Sequence, residues 1–323
     1  MARALIVAAA LLGAAAVGGA GAQNYPDKPI RVVDAYSPGG TSDILGRILG
    51  QKFLESQGQP WIMDNRPGAN GIIGSEFVAK SPPNGYTLLM FTSTLTVQPS
   101  IYKNLPYDVL KSFVPVVLVS STANVVVVHP TIPVKNVKEF IALARAKPGQ
   151  LTYASGGAGT STHMSMELFK SMAKLNIRHI PYKGITPGVI DVIGGHVDCA
   201  FATMPVALPY IRSGKLRALA VTSEKRAKAT PEIPTVAEAV LPGYDAVNSV
   251  GVLAPAETPR EIVHKLNAEI ARILDLPDVR ERFAVVGAEA AGGTPEKFGN
   301  YIRSEISKWA GVVKSSGMEV QAW

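Results

Sequence analysis

Three short segments share one composition: an apolar run, a glycine-rich loop, then an amphipathic run. They are Tyr36-Ser37-Pro38-Gly39-Gly40-Thr41-Ser42, Asn65-Arg66-Pro67-Gly68-Ala69-Asn70-Gly71 and Ser155-Gly156-Gly157-Ala158-Gly159-Thr160-Ser161-Thr162-His163. A helix that starts after such a loop offers unpaired N–H groups and the positive end of its dipole, which suits an anion. Glycine lets the backbone approach closely, and Ser or Thr adds hydroxyl donors. Any one loop could be an ordinary helix start; three in one chain point to a shared ligand. The loops hold few charges, so the anion would be gripped by neutral donors and water. Their cation, Arg66, is expected to clamp its own turn through backbone carbonyls, with the alternative that it faces the ligand.

Catalytic patterns are missing. The chain has no G-x-S-x-G elbow, no H-E-x-x-H and no G-x-x-x-x-G-K-[ST] phosphate loop. Hydroxyls beside His163 could form a nucleophile–base pair, but a histidine near a helix start more simply hydrogen-bonds its loop. No catalytic residue, cofactor or metal is therefore expected. The single cysteine, Cys199, cannot form an internal disulfide and lies in an apolar run that marks it for core packing.

The elements that would carry these loops alternate between the two periods. Strand signals cover Ile30–Val33, Tyr86–Phe91, Val114–Val119, Val125–His129, Leu151–Ser155, Val197–Thr203, Leu216–Thr222 and Gly251–Ala254. Helix signals cover Ser42–Gln57, Val137–Ala146, Thr162–Lys174, Val189–Ile193, Arg260–Leu274, Pro277–Val286 and Pro295–Ser315. Strands alternating with helices predict an α/β fold with a mostly parallel sheet, and ligands of such sheets bind beyond the carboxyl ends of the strands. With no linker composition anywhere, two lobes are expected to share the chain by crossing twice, near Ser121 and near Val250. Residues 23–121 with 250–323 form one lobe, completed by the C-terminal helices, and residues 122–249 form the other.

Residues 1–22 carry Arg3, an apolar run and the small residues Ala20-Gly21-Ala22, the pattern of a secretory signal peptide cleaved before Gln23. The formal charge is +7 and falls to +6 without Arg3. There is no basic stripe with interleaved aromatics, which argues against nucleic acid as a partner.

Several motifs resemble the solute receptors of the tripartite tricarboxylate transporters, the Bug family. They begin with Tyr25-Pro26-Asp27-Lys28-Pro29-Ile30 and the first two glycine loops. Leu105-Pro106-Tyr107-Asp108, Pro148-Gly149-Gln150-Leu151, Pro181-Tyr182-Lys183-Gly184, Gly194-Gly195-His196-Val197-Asp198, Gly214-Lys215-Leu216-Arg217-Ala218-Leu219-Ala220 and Pro234-Thr235-Val236-Ala237-Glu238 follow in order. The resemblance implies a type II periplasmic binding-protein fold, two α/β lobes with a ligand cleft between them. It implies a monomeric periplasmic receptor that captures a small organic carboxylate and delivers it to a two-subunit membrane permease. A solute sensor for a signalling partner and, less in keeping with the motifs, a periplasmic hydrolase are the alternatives. By resemblance, Tyr36, Ser37, Gly39, Gly40 and Thr41 bind the ligand from one side, and Ser155, Gly159, Thr160, Ser161 and His163 from the other. Ser93 lines the same cleft. Two positions depart from the family pattern. An Asp-Asn pair common in relatives is Ala202-Thr203 here, and an aromatic pair in the second crossover is Ser249-Val250. If Ser249 and Val250 both face the cleft, they leave room for a bulkier, more apolar acid.

Overall fold

The computed structural model describes residues 25–316, 318 and 321–322; the expected signal peptide lies outside the described residues. The chain opens with β1 (Ile30–Asp34), α1 (Thr41–Gln57), β2 (Trp61–Asn65), α2 (Ile72–Ala79), β3 (Thr87–Thr92), α3 (Thr94–Ile101) and β4 (Tyr102–Lys103). It continues through β5 (Phe113–Val128), α4 (Val137–Ala146), β6 (Thr152–Ser155), α5 (Ser161–Ala173), β7 (Arg178–Pro181), α6 (Ile185–Ile193), β8 (Cys199–Thr203), α7 (Met204–Arg212), β9 (Arg217–Val221) and α8 (Val236–Ala239). It closes with β10 (Val247–Pro255), α9 (Arg260–Asp275), α10 (Pro277–Val285), α11 (Pro295–Ser316) and β11 (Gln321–Ala322), which pairs with β4.

Among the described residues, the larger sheet runs β2-β1-β3-β10-β5-β8-β6-β7, with β9 also on β5. The β1–β2, β1–β3, β6–β7 and β6–β8 pairs are parallel, and all pairs made by β5 and β10 are antiparallel. Both faces of each half are covered. In the first, Val32, Leu88 and Val252 pack one way while Val33, Leu89 and Leu253 pack the other. In the second, Val126 and Phe201 face one core, and Val125 and Ala202 the opposite one. Successive strand residues point to opposite faces, so two-sided burial demands the near-continuous apolar runs seen in the sequence. Cys199 is buried among them.

The two halves are joined through β5 and β10. The N-terminal part of β5 pairs with β10, and its last five residues insert between β8 and β9. The expected crossing points are direct neighbours: Ser121 is opposite Ser249, and Ser120 opposite Val250. The sequence pattern suggests two separate strands at 114–119 and 125–129, but one strand of 16 residues spans both. Its polar middle continues because buried partners satisfy most of it, Asn124 Oδ1 excepted. Ser120 and Thr122 share a hydroxyl hydrogen bond of 2.7 Å, and Asn124 Nδ2 donates to Ser165 Oγ at 2.8 Å. The long α11 is not confined to the first half. Phe298 and Ile302 pack there, but Trp309, Val312 and Val313 enter the second core beside Phe140 and Phe169.

Candidate ligand-binding site

The first glycine loop leaves β1 at Asp34, which is fully buried. Its carboxylate accepts the Ser42 hydroxyl (3.0 and 2.9 Å) and the Tyr36 N–H (3.2 Å). Desolvation pushes this carboxyl up to about 7, against the pull of those hydrogen bonds. Gly39 adopts φ +81°, a left-handed conformation open to glycine at little cost, and its N–H donates to Asp43 Oδ2 at 3.0 Å. Asp43 is paired with Arg47 at 2.9 Å. Gly40 starts α1 with no side-chain cap, so the first turn's N–H groups stay available. The Thr41 hydroxyl reaches across to Thr203 Oγ1 at 3.1 Å and ties the two halves together.

The third loop is more self-contained. Thr160 caps α5 by accepting the His163 N–H, and its hydroxyl donates to Gly157 O at 2.7 Å. Gly156 N–H donates to Thr162 Oγ1 (2.9 Å), and Gly159 N–H to His163 Nδ1 (3.0 Å). His163 is therefore a loop brace, with an unprotonated Nδ1. Its ring stacks on His179 at 4.3 Å between centroids, and His179 Nε2 lies 2.6 Å from Ser155 Oγ. Desolvation, with His179 alongside, lowers the His163 pKa to about 3; desolvation lowers His179 to about 4. Both rings are neutral at physiological pH. Nearby Glu167 accepts from Tyr153 and Lys170, each at 2.7 Å.

The second loop contacts the third rather than opening onto the main cleft. Asn70 Nδ2 hydrogen-bonds Ala158 O across the halves. Arg66 neither clamps the turn carbonyls nor faces the cleft. It pairs with Asp64 at 2.8 Å and lies 3.7 Å over the Phe77 ring.

A cavity of about 310 Å³ lies between the halves. Of the residues singled out from sequence, Tyr36, Ser37, Gly40, Thr41, Thr160, Ser161 and Thr203 line it. Ser155, Gly159 and His163 stand buried behind this wall as bracing, and Gly39 is exposed in its turn without lining the cavity. Ser93, 2 % exposed, is engaged at the β3–β10 junction, where its hydroxyl accepts the Ser249 N–H at 3.1 Å. Ala202 packs in the core beneath β8. Ser249 points away from the cavity, with its Oγ 2.5 Å from Tyr301 Oη, because side chains alternate along β10. Its neighbours Asn248 and Val250 line the cavity instead. The expectation that Ser249 and Val250 together enlarge the cleft thus holds no place for Ser249.

Sequence reasoning missed a fourth loop, Tyr182-Lys183-Gly184, between β7 and α6. Lys183, Gly184, Ile185, Thr186 and Pro187 all line the cavity. Its legible signal was a proline in the first turn after a glycine, a common helix opening. Like α1, both α6 and α7 begin without a side-chain cap hydrogen bond, at Gly184 and Thr203. The open starts of α1 and α6 thus line one space, which no Asp or Glu among the described residues lines; of α7 only its N-cap Thr203 reaches it, and Pro205 in its first turn has no N–H. Among the described residues, no cluster of His, Cys, Asp and Glu could hold a metal, and no helix is long and apolar enough to cross a membrane.

A cleft of this kind, between α/β halves joined through two crossing strands, is that of a type II periplasmic binding protein, a solute receptor. Within that class the sequence is more specific. The chain belongs to the tripartite tricarboxylate transporter receptor family, that of the Bug proteins, whose profile matches residues 45–318. BugT from Bordetella pertussis is 38 % identical over 302 residues, covering 93 % of both chains. An R. palustris protein solved with adipate superposes with a TM-score of 0.88 at 34 % identity, covering 93 % of this chain and all of that one. MatC from Rhodopseudomonas palustris, with bound malate, gives 0.84 at 29 % identity over 90 % of this chain and all of the other. Receptors of this family are periplasmic solute-binding proteins.

Proposed function

We propose that this receptor captures a small organic acid by a carboxylate, closes over it, and presents it to a two-subunit membrane permease. Convergence carries the reading: the uncapped starts of α1 and α6 meet, beside the α7 N-cap Thr203, in one cavity with no opposing acid among the described residues. Such starts hold an anion through N–H groups and dipoles, without a buried countercharge. Asn248 adds a donor. It is 6 % exposed, its Oδ1 is taken by the Ser161 hydroxyl at 3.1 Å, and its Nδ2 has no partner among the described residues. Adipate and malate, held by two structural relatives, are both carboxylates. In this reading residues 23–121 with 250–323 and residues 122–249 form the two lobes of a monomer, with the end of α11 reaching from the first onto the second. The mature chain begins at Gln23 in the periplasm. Calorimetric titration of an acid against its amide tests the proposal. The acid should bind and the amide should not, and equal affinity for the two would refute it.

A further inference from the structure

The charge of the chain is divided unevenly. Residues 122–249 hold 14 Lys and Arg against 8 Asp and Glu, while the rest of the chain from residue 23 holds 17 of each sign. The whole excess of +6 therefore belongs to the second half. In the first half Arg47, Lys52, Arg66, Lys80, Arg272 and Arg280 are each paired with an acid. In the second, Lys135, Lys138, Arg145, Lys147, Lys174 and Arg178 are exposed, and none makes an ion pair among the described residues.

These six gather at one end of the sheet. Thr152 is opposite Arg178, Tyr153 opposite Cys199, and Val128 opposite both Cys199 and Arg217, so the starts of β6, β7, β8 and β9 form one edge. Arg217 Nη1 donates to the carbonyls of Ile132 (3.1 Å) and Val134 (2.9 Å), which holds Lys135 and the start of α4 there. Gly149 N–H donates to Asn176 O at 2.9 Å, and Arg145 Nη2 to Ala173 O at 3.1 Å. These bonds bring the end of α4, with Lys147, against Lys174 and Arg178. The acids at this edge, Glu139 and Asp198, are taken by other donors. Glu139 accepts the Lys135 backbone N–H and Asn136 Nδ2, and Asp198 the Thr152 N–H and hydroxyl. The cleft lies beyond the opposite ends of β6, β7 and β8, where Gly156, Lys183 and Thr203 line it.

A surface of unpaired cations attracts a partner that carries a matching array of negative charge. Its make-up decides between partners. Protein interfaces are anchored by aromatic and arginine side chains that fill pockets. Here no aromatic side chain is exposed among the described residues, and the exposed large apolar side chain beside the cluster is Met172, at 37 %. A bilayer asks for less: anionic headgroups draw clustered Lys and Arg without a pocket or a fixed register.

We infer that this edge of the second half is a docking surface for a bilayer rich in anionic phospholipid. The receptor rests on the lipid there with its ligand cleft, at the far ends of the same strands, left free. The inference is independent of which solute the cleft holds. Each cation near such a surface is worth about five-fold in partition, and the attraction fades within a Debye length of about 8 Å at physiological salt.

The test is co-sedimentation of the whole mature receptor with vesicles of phosphatidylcholine, alone or with about one-third phosphatidylglycerol. The wild type should bind the anionic vesicles and ignore the neutral ones, and salt raised to about 0.5 M should release it. Lys147→Glu, Lys174→Glu and Arg178→Glu together should weaken binding about 100-fold or more. Lys28→Glu, Arg260→Glu and Lys297→Glu together place the same change of charge at exposed first-half positions and should cost less than about ten-fold. Unchanged melting temperatures would show that both triple variants fold. Equal binding of the wild type to the two kinds of vesicle would overturn the inference. So would equal losses in the two triple variants, since net charge alone would then be at work. Retention of the wild type on immobilised polyglutamate, with no binding to anionic vesicles, would assign the surface to an acidic protein instead and overturn it as well.

Discussion

Gly159→Ala probes closure directly. Gly159 sits in the third loop at φ +73°, and a Cβ there would fall inside van der Waals contact of Ile101 Cδ1, with Asn70 Nδ2 at 3.4 Å and Val97 Cγ1 at 3.5 Å. All three neighbours come from the first half of the chain. Two costs therefore separate. The left-handed backbone costs an L-residue about 1–2 kcal/mol wherever the halves are. The overlap with Ile101, which is 1 % exposed and packs with Val97 in the second core, adds about 1–3 kcal/mol to the arrangement in which the halves meet.

The first cost should appear as a lower melting temperature, by about 2–4 °C per kcal/mol for a chain of this size. The second should appear as weaker binding, about 5- to 150-fold. Gly214→Ala is the matching control. Gly214 has φ +71°, no heavy atom within 4 Å of where a Cβ would stand, and a place in the turn after α7, away from the cavity. Both variants should melt earlier, and only Gly159→Ala should bind its acid more weakly in calorimetry. Equal affinities for the two variants would refute the reasoning, because the Gly159 contact would then be no part of closure.

Two further outcomes follow from the bracing and from β10. His163 and His179 have folded pKa values lowered to about 3 and about 4 from 6.5, chiefly by desolvation. Below 6.5 the unfolded chain takes protons that the folded one refuses, so this pair's contribution to stability is intact above 6.5 and is lost as pH falls toward 4. Asp34, raised to about 7, works the opposite way in the same window, so the readout is a difference: in urea unfolding, His179→Gln should flatten the wild-type slope by up to one proton between pH 6.5 and 4.5. A parallel slope would contradict this. Ser249→Ala should cost about 1 kcal/mol through the lost Tyr301 hydrogen bond while leaving acid affinity within two-fold, whereas Val250→Trp, at a buried position, should cost about 1–3 kcal/mol and exclude long-chain acids while short acids still bind. Similar binding profiles for these two variants would refute the assigned facing of β10.

The elements with strong periodicity were legible, because their burial is one-sided and regular. In α9, Ile262, Leu266, Ile270 and Ile273 recur at helical spacing and are all buried. Elements whose stability comes from elsewhere were not. In α3, Thr94-Leu95-Thr96-Val97-Gln98-Pro99 carries β-branched residues and an internal proline, so its helix depends on packing against α11 and the second core. β2 and β7 were missed because polar residues interrupt them: Asp64 and Asn65 in one, Arg178 and His179 in the other.

The site was legible in its loops and illegible in its facings. Glycine and hydroxyl residues announce a loop, but whether a donor faces the ligand depends on which neighbour claims it first. His163 offers a ring nitrogen, yet it is consumed by the Gly159 N–H, and Thr162, although on the cavity wall, accepts the Gly156 N–H within its own loop. The same logic governs β10, where one residue of register decides the cavity wall. Asn248 and Val250 face the ligand and Ser249 faces Tyr301, and a shift of the strand by one residue would exchange them. Two irregularities in the β5–β10 ladder, at Val250/Gly251 and Val252/Leu253, lie just beyond this stretch. Gly251 also packs against Phe298, where a Cβ would come 2.9 Å from Val117 O, so the strand cannot slide without breaking that seat. The selectivity of the cleft is therefore anchored in the first half's core, starting one residue beyond the cavity wall at Val250.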